Sequence, residues 1–455
     1  MDNVKKETPI VKSFIYNNSC FIYDTFTNRL FHVSADQFLE ISHLQKIGLN
    51  QYASLNKDTK AYKDIIMLIN KGLFHKPFIK KIEHPETKYV QHFLNRCVND
   101  LTLQVTKNCN FKCRYCLYAN DTQFERGHQN VNMSWEIAKK SVDFLFAHSL
   151  DAKSINIAFY GGEPLLNYQL IYSIVEYVEK LFYTKKIKYS MTINGSLLTD
   201  SIVAFFVKHN FYITVSLDGP EVIQNRHRKF GESGNDTFNV VYRNVRRIKH
   251  MYKDYFYSNV TFIPVLFPDE DYQEVLKFYR GFDVSEEQIL PLNVSLNGLD
   301  YINSNIHTYN FQNTFFIKKE KKNEISFERL YEDKRNIPST WHPNGQCIPA
   351  VRKLFIDVNG IFYPCEKIIE NDALSIGNLD NGFYIPKIIK FMNIGKLTEE
   401  ECKYCWAIRF CNMCVSSCHD VEKNEITSEQ RRLNCFYQKE KVLSFFKGYI
   451  DQCKI

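Results

Sequence analysis

Between Leu101 and about Leu296 the sequence alternates strand-like and helix-like runs, and this alternation constrains the fold more than any other feature. Strands are expected at 101–106, 154–160, 187–193, 211–217, 258–265 and 288–295, and helices at 133–148, 167–183, 199–209, 237–253 and 271–280. The first strand shows the basis for the reading. Leu101, Leu103 and Val105 alternate with Thr102, Gln104 and Thr106, a period of two residues. Ser134 and Thr199 stand where helix N-caps belong. Repeated strand–helix units wind parallel strands side by side. Six units fall short of a closed eightfold barrel. The expected class is therefore α/β, a partial (β/α)6 TIM-like barrel.

The loop leaving the first strand reads Cys109-Asn-Phe-Lys-Cys113-Arg-Tyr-Cys116. Such loops carry the chemistry of α/β proteins. Three thiolates at this spacing can converge on one soft metal centre. A structural zinc takes four protein ligands, and a [4Fe–4S] cluster usually takes four thiolates, so three leave one iron open to another ligand. The plain alternative is three buried free thiols. The next strand ends carry Phe159-Tyr160-Gly161-Gly162-Glu163-Pro164, Asn194-Gly195-Ser196 and Ser216-Leu217-Asp218-Gly219-Pro220. Paired glycines let a backbone approach a ligand closely, and Glu163 could accept from an ammonium group. Turn geometry explains each motif taken singly. Their placement at successive strand ends marks a site.

Residues 1–95 hold no cysteine cluster. Short β-rich runs at Phe14-Ile-Tyr, Cys20-Phe-Ile-Tyr-Asp and Arg29-Leu-Phe-His-Val are separated by Asn17-Asn-Ser and Thr27-Asn turns. Helices are expected at Ala35 to Leu44, capped by Ser34, and at Tyr62 to Lys71, ended by Gly72. The pattern suggests a winged-helix-like domain, either a scaffold extension or a docking module offering a strand edge to an extended partner. The barrel is expected over 96–320 and a third unit over 321–455. Residues 300 to about 340 are polar and poorly periodic and read as a linker or mobile loop, with Lys318–Lys322 a solvated charge run.

The last unit is dense in cysteine: Cys347, Cys365, Cys402, Cys405, Cys411, Cys414, Cys418 and Cys435. Paired Cys-x2-Cys knuckles suit zinc, whereas cysteine-only ligation at irregular spacing suits iron–sulfur clusters at least as well. Cys20, Cys97 and Cys453 stand alone. Fourteen cysteines, with no signal-peptide pattern in residues 1–20 and no apolar run of membrane-spanning length, lead to the expectation of a cytoplasmic protein that uses thiols for metal. A net charge of +7 without a dense Lys/Arg block does not suggest nucleic acid, and no membrane partner is expected.

Taken together, these residues resemble the radical S-adenosylmethionine superfamily. The Cys109-x3-Cys113-x2-Cys116 loop, with Tyr115 before the third cysteine, is similar to its cluster loop, and Phe159 to Pro164 to its GGEP motif. Residues 347 to 435 resemble the SPASM extension. Arg352 to Lys367, Asn393 to Thr398 and Cys405 to Cys411 look like the maturases of cysteine-rich ribosomal peptides, which install thioether links. Residues 1–95 are similar to the leader-recognition element of those enzymes.

The resemblance implies roles. Cys109, Cys113 and Cys116 would hold the catalytic [4Fe–4S] cluster, whose open iron takes S-adenosylmethionine. Tyr115 would lie near the adenine, and Gly161, Gly162 and Glu163 would contact the methionine amino group. Asn194, Ser216 and Asp218 would reach the ribose or methionine end, and Arg228 would pair with the carboxylate. Cys347 and Cys365 would sit on a first auxiliary [4Fe–4S] cluster, and Cys402, Cys405, Cys411 and Cys435 would hold a second. The family pattern Cys-x5-Cys-x3-Cys is broken here, because Val415 occupies the last position and Cys414 and Cys418 flank it. Cys414 is the favoured fourth contributor, with Cys418 the alternative. Glu366 is the candidate catalytic acid or base, against a surface salt bridge as the plain reading.

The implied chemistry is reductive cleavage of the cofactor to a 5′-deoxyadenosyl radical, hydrogen abstraction from a ribosomally made precursor peptide, and bonding of a cysteine sulfur to carbon. A flavodoxin- or ferredoxin-type donor would supply the electron, and the N-terminal domain would bind the leader. A sulfatase-maturase-like enzyme is the nearest rival, although about 100 residues precede the cluster loop here. A non-catalytic iron–sulfur or zinc protein is the rival from another class.

Overall fold

The computed structural model describes residues 8–75, 79–116, 128–267, 272–295, 298–300, 315–321, 324–329, 339–343 and 347–453. The chain opens on an antiparallel meander, β1 (Val11–Tyr16), β2 (Ser19–Asp24) and β3 (Arg29–Val33). Asn17 and Asn18 both take the left-handed conformation that a two-residue hairpin needs (φ 48° and 59°). The helices α1 (Ala35–Ile47) and α2 (Lys60–Asn70) follow, with the short helix Leu49–Ala53 between them. Ser34 caps α1 in a reciprocal capping box with Gln37, and Gly72 lies just past the end of α2 in a left-handed conformation.

The parallel layer begins at β4 (Asp100–Thr106), which leads to the short β5 (Phe111–Cys113) in the cysteine loop. It continues α3 (Trp135–His148), β6 (Ser154–Gly161), α4 (Tyr168–Leu181), β7 (Lys186–Ile193), α5 (Asp200–Lys208) and β8 (Phe211–Val215). Next come α6 (Glu221–His227), β9 (Arg228–Phe230), α7 (Phe238–Met251), β10 (Val260–Phe262), β11 (Val265–Leu266), α8 (Tyr272–Gly281) and β12 (Leu292–Ser295). Strands β4, β6, β7, β8 and β10 pair in that order, all parallel. The ladder passes to a sixth position through a parallel Phe262–Ile289 bridge and parallel β11–β12 pairing.

β4 buries Thr102, Gln104 and Thr106 along with its apolar residues, with Gln104 bonded to Glu370 and to the Val358 amide and Thr106 to Asn132. The alternation read from the sequence therefore did not mark a solvated face. On α4, Leu170, Ile171, Ile174, Val175 and Val178 form the buried stripe, at helical spacing. Ser134 and Thr199 accept from the amides of Ile137 and Ile202, as caps should.

Two expectations are corrected. Part of the polar stretch read as a linker forms a hairpin, β13 (Phe315–Lys321) and β14 (Glu324–Arg329). Its second strand pairs with β3, extending the N-terminal sheet to the order β1-β2-β3-β14-β13. Lys318 to Lys321 are thus strand residues, while Lys322 lies outside the described residues. The strand read at 258–265 starts later, because Lys253–Asn259 is helical.

The C-terminal unit is woven into both others. β15 (Leu354–Ile356) adds parallel to β4, and β16 (Ile361–Tyr363) pairs antiparallel beside it. The final helix α9 (Ser428–Cys453) packs Val442, Phe445, Phe446 and Ile450 with Phe14, Phe21, Tyr23 and Leu30 of the N-terminal sheet in one aromatic cluster. Arg409 donates to the carbonyls of Thr25 and Phe26 at 2.7 Å each, fastening the same junction. Among the described residues no helix is long and apolar enough to cross a membrane.

Candidate active site and thiol centres

The cysteine triad sits where β4 ends. Its β5 segment pairs antiparallel with β9, which sets Cys113 directly opposite Arg228. Burial pushes the Cys109 and Cys113 thiols up to about 12 each. Cys116 adds to the negative field at both, and its sulfur lies 4.0 Å from His128 Nε2. Buried thiols that share one loop and resist ionisation alone become stable thiolates when a cationic centre binds them. The donor set therefore fits a soft metal group.

Gly161 and Gly162 turn out to serve the loop itself. A Cβ on Gly161 (φ 147°) would stand 2.0 Å from the Thr106 carbonyl oxygen. On Gly162 it would stand 2.3 Å from the Asn108 oxygen and 2.9 Å from Cys109 Cβ. Backbone bonds Gly162 N–H to Thr106 O (3.2 Å) and Glu163 N–H to Asn108 O (2.9 Å) stitch this strand end to the cysteine loop. The Glu163 carboxylate is almost fully buried and accepts from the amides of Leu165 (3.1 Å) and Asn194 (2.6 Å). Burial raises it to about 7, against the pull of those two amides.

Asp218 is the hub of the opposite wall. It accepts from the Tyr115 hydroxyl at 2.7 Å, from Arg228 Nε at 3.0 Å and from the Val265 amide at 3.0 Å. Arg228 also reaches Cys113 Sγ at 3.6 Å and lies over the Tyr115 ring, 5.2 Å from its centroid. Tyr115 is held well above its ordinary value, by burial first and by Asp218 as well. The structure thus joins Tyr115, Asp218, Arg228 and Cys113 in one network, with Arg228 turned onto Asp218. Ser216 is half-buried, and its amide donates to Ile193 O at 2.8 Å.

Sequence reasoning missed two residues that hold these walls together. Asn110 accepts from Asn194 Nδ2 at 2.8 Å and donates to Ser196 Oγ at 2.9 Å, linking the cysteine loop to the end of β7. Gln224 accepts from the Asp218 amide at 2.8 Å. Asn110 sits inside the cysteine motif, which was its only signal; Gln224 gave none.

Glu366 lies elsewhere. It pairs with Lys353 at 2.9 Å, beside the start of β15 and so at the Leu101 end of β4. The triad follows the other end, a strand length away, about 20 Å at ~3.3 Å per residue. At that same end, burial pushes Cys365 up to about 12, with Glu366 beside it and Cys414 and Cys347 adding to the effect. Cys402, Cys405, Cys411 and Cys435 line one small cavity of about 20 Å3. Cys414 adds to the negative field at Cys347, Cys365 and Cys418 alike. Cys418 is fully buried against Arg431.

These features define an α/β protein with a three-thiol loop and a buried Tyr–Asp–Arg network at the C-terminal edge of a parallel sheet. Residues 103–281 match the family model of the radical SAM superfamily. Radical SAM proteins use S-adenosylmethionine and a [4Fe–4S] cluster, and the triad and its surroundings fit both.

The chain is 26% identical over 339 residues to a cysteine-type anaerobic sulfatase-maturating enzyme of Clostridium perfringens, covering 70% of this chain and 89% of the relative. It is 23% identical over 352 residues to the radical SAM cyclopropyl synthase TigE of Paramaledivibacter caminithermalis, covering 74% and 71%. The solved structure of native anSMEcpe with bound AdoMet shares the fold, with a TM-score of 0.55 at 21% identity, covering 78% of this chain and 98% of that one.

Proposed function

We propose that this protein is a peptide maturase that modifies a ribosomally made precursor, forming thioether links from cysteine sulfur to carbon. The carrying observation is the set of thiol groups outside the catalytic loop: Cys347, Cys365 and Cys414 together, and four more cysteines around a common cavity. On this reading residues 96–320 form a partial (β/α)6 barrel, 321–455 a SPASM domain carrying one or two auxiliary [4Fe–4S] clusters, and 1–95 a winged-helix-like leader-binding domain. The curated relative that acts as a sulfatase-maturating enzyme supports protein or peptide as the substrate class.

When bound, S-adenosylmethionine and the reduced cluster supply a 5′-deoxyadenosyl radical able to take hydrogen from carbon. The protein's own residues position and enclose. Cys109, Cys113 and Cys116 would hold the cluster. Tyr115, Asp218 and Arg228 fix the wall beside it, and buried Glu163 offers carboxylate oxygens to an ammonium group. Each link removes two hydrogen atoms from the peptide: the one on carbon would go to the deoxyadenosyl radical, and the one on sulfur would leave as a proton to solvent and an electron, for which an auxiliary cluster held by the C-terminal cysteines would be the acceptor. A flavodoxin- or ferredoxin-type protein is the proposed electron donor, and the outer edges of β1 and β13, unpaired among the described residues, suit an extended leader.

The test combines iron and sulfide analysis with incubation under dithionite. Release of 5′-deoxyadenosine, together with loss of two hydrogen atoms per link in a cysteine-rich precursor, is expected. Formylglycine formation in a sulfatase peptide instead would favour the sulfatase-maturase reading. An iron-loaded protein that releases no deoxyadenosine would sink both.

A further inference from the structure

Arg431 on α9 is among the largest fully buried side chains of the protein. Its Nε donates to Thr398 Oγ1 at 2.9 Å, its Nη2 to Cys402 Sγ at 3.7 Å and its Nη1 to Cys418 Sγ at 3.7 Å. Among the described residues its guanidinium meets no carboxylate. The nearby Glu401 is taken by the exposed Arg432 instead, at 2.9 Å. A desolvated cation without an anion is costly to bury, and neutral thiols do not balance it. Arg431 and Lys439 line the same cavity as Cys402, Cys405, Cys411 and Cys435, so among the described lining residues the source of counter-charge is the thiolates those cysteines would become on ligating iron.

We propose that Arg431 is a positioning residue that sets the reduction potential of the Cys402/Cys405/Cys411/Cys435 centre. The inference rests on reading those four cysteines as ligands of an auxiliary iron–sulfur cluster. Adding an electron makes such a centre more negative. A fixed cation in contact with one of its sulfurs stabilises the reduced form and raises the potential. Cys418, which shares the guanidinium, stands outside the ligand set.

The test uses the full-length reconstituted protein carrying Cys109→Ala, Cys113→Ala and Cys116→Ala, which removes the catalytic cluster's signal. Redox titrations followed by electron paramagnetic resonance then compare Arg431, Arg431→Lys and Arg431→Gln. Arg431→Gln is expected to move one midpoint to more negative potential, by at least about a tenfold change in the reduced-to-oxidised ratio, with Arg431→Lys close to the parent. Iron loss in Arg431→Gln that Arg431→Lys prevents also supports the proposal, since charge is then what the centre requires. An unchanged midpoint in Arg431→Gln overturns it. So does loss of the centre in both variants, which would assign Arg431 a packing role. Cys418→Ala is expected to keep the full iron content, and a fall would place Cys418 in the ligand set. Metal analysis of the parent comes first: zinc in place of iron overturns the cluster reading itself.

Discussion

Gly162 has no room for even a methyl group, because the backbone of the cysteine loop passes directly over it. A Cβ there meets the Asn108 oxygen at 2.3 Å, so Gly162→Ala must displace the loop that carries Cys109. A shift of about 1 Å at reacting groups costs on the order of 10²-fold in rate. Gly162→Ala is therefore expected to lower 5′-deoxyadenosine release by about that factor, while the iron of the C-terminal unit stays in place. His342 gives a second prediction. Burial, with the neighbouring charges of His84 and Arg431, lowers it from 6.5 to about 3, and its Nε2 accepts the Gly395 amide at 3.0 Å. Between those pH values the unfolded chain binds the extra proton, so stability is complete above pH 6.5. It falls as pH drops toward 3, by up to roughly 1.4 kcal/mol per pH unit. Urea midpoints between pH 7 and 5 should fall less steeply in His342→Gln than in the parent.

Among the elements, those whose ends carry caps and whose faces carry a period were the ones readable in advance. Ser134, Thr199 and Ser34 all cap as expected, and Ser134→Ala should cost about 1 kcal/mol in thermal or urea unfolding. The parallel strands were readable because their buried apolar residues alternate, as Ile155, Ile157 and Phe159 do on β6 and Phe211, Ile213 and Val215 on β8. The hairpin at 315–329 was not: its lysine-rich sequence has the composition of a solvated loop, and its pairing to β3 is a contact across nearly three hundred residues. The short helix Glu221–His227 gave no periodic signal in seven residues, yet it carries Gln224 and leads into Arg228. At the site, the cysteines and the Gly-Gly-Glu turn were legible as motifs. What spacing left open was which thiols gather, since that depends on how the chain folds between Cys365 and Cys402.

The whole molecule is less modular than its sequence suggested. Phe446 lies against Tyr23 with ring centroids 4.8 Å apart and against Phe14 at 6.3 Å, so the N-terminal sheet and the last helix share one core. Phe446→Ala should cost about 3–5 kcal/mol and loosen both ends together, seen as faster amide exchange in β2 and α9 alike. Removing residues 1–95 is expected to give an aggregating protein for the same reason.

The hairpin's hold on β3 turns edge recognition into an exchange. Glu324, Ile325 and Ser326 pair with Phe31, Leu30 and Arg29, so an extended partner that wants this stretch must first evict a strand tethered to the same chain. A tethered strand competes as an intramolecular partner, at an effective concentration set by its connection. Occupancy by a free peptide would then follow the ratio of the two affinities, and shortening the hairpin would sharpen it with no new contact made to the peptide.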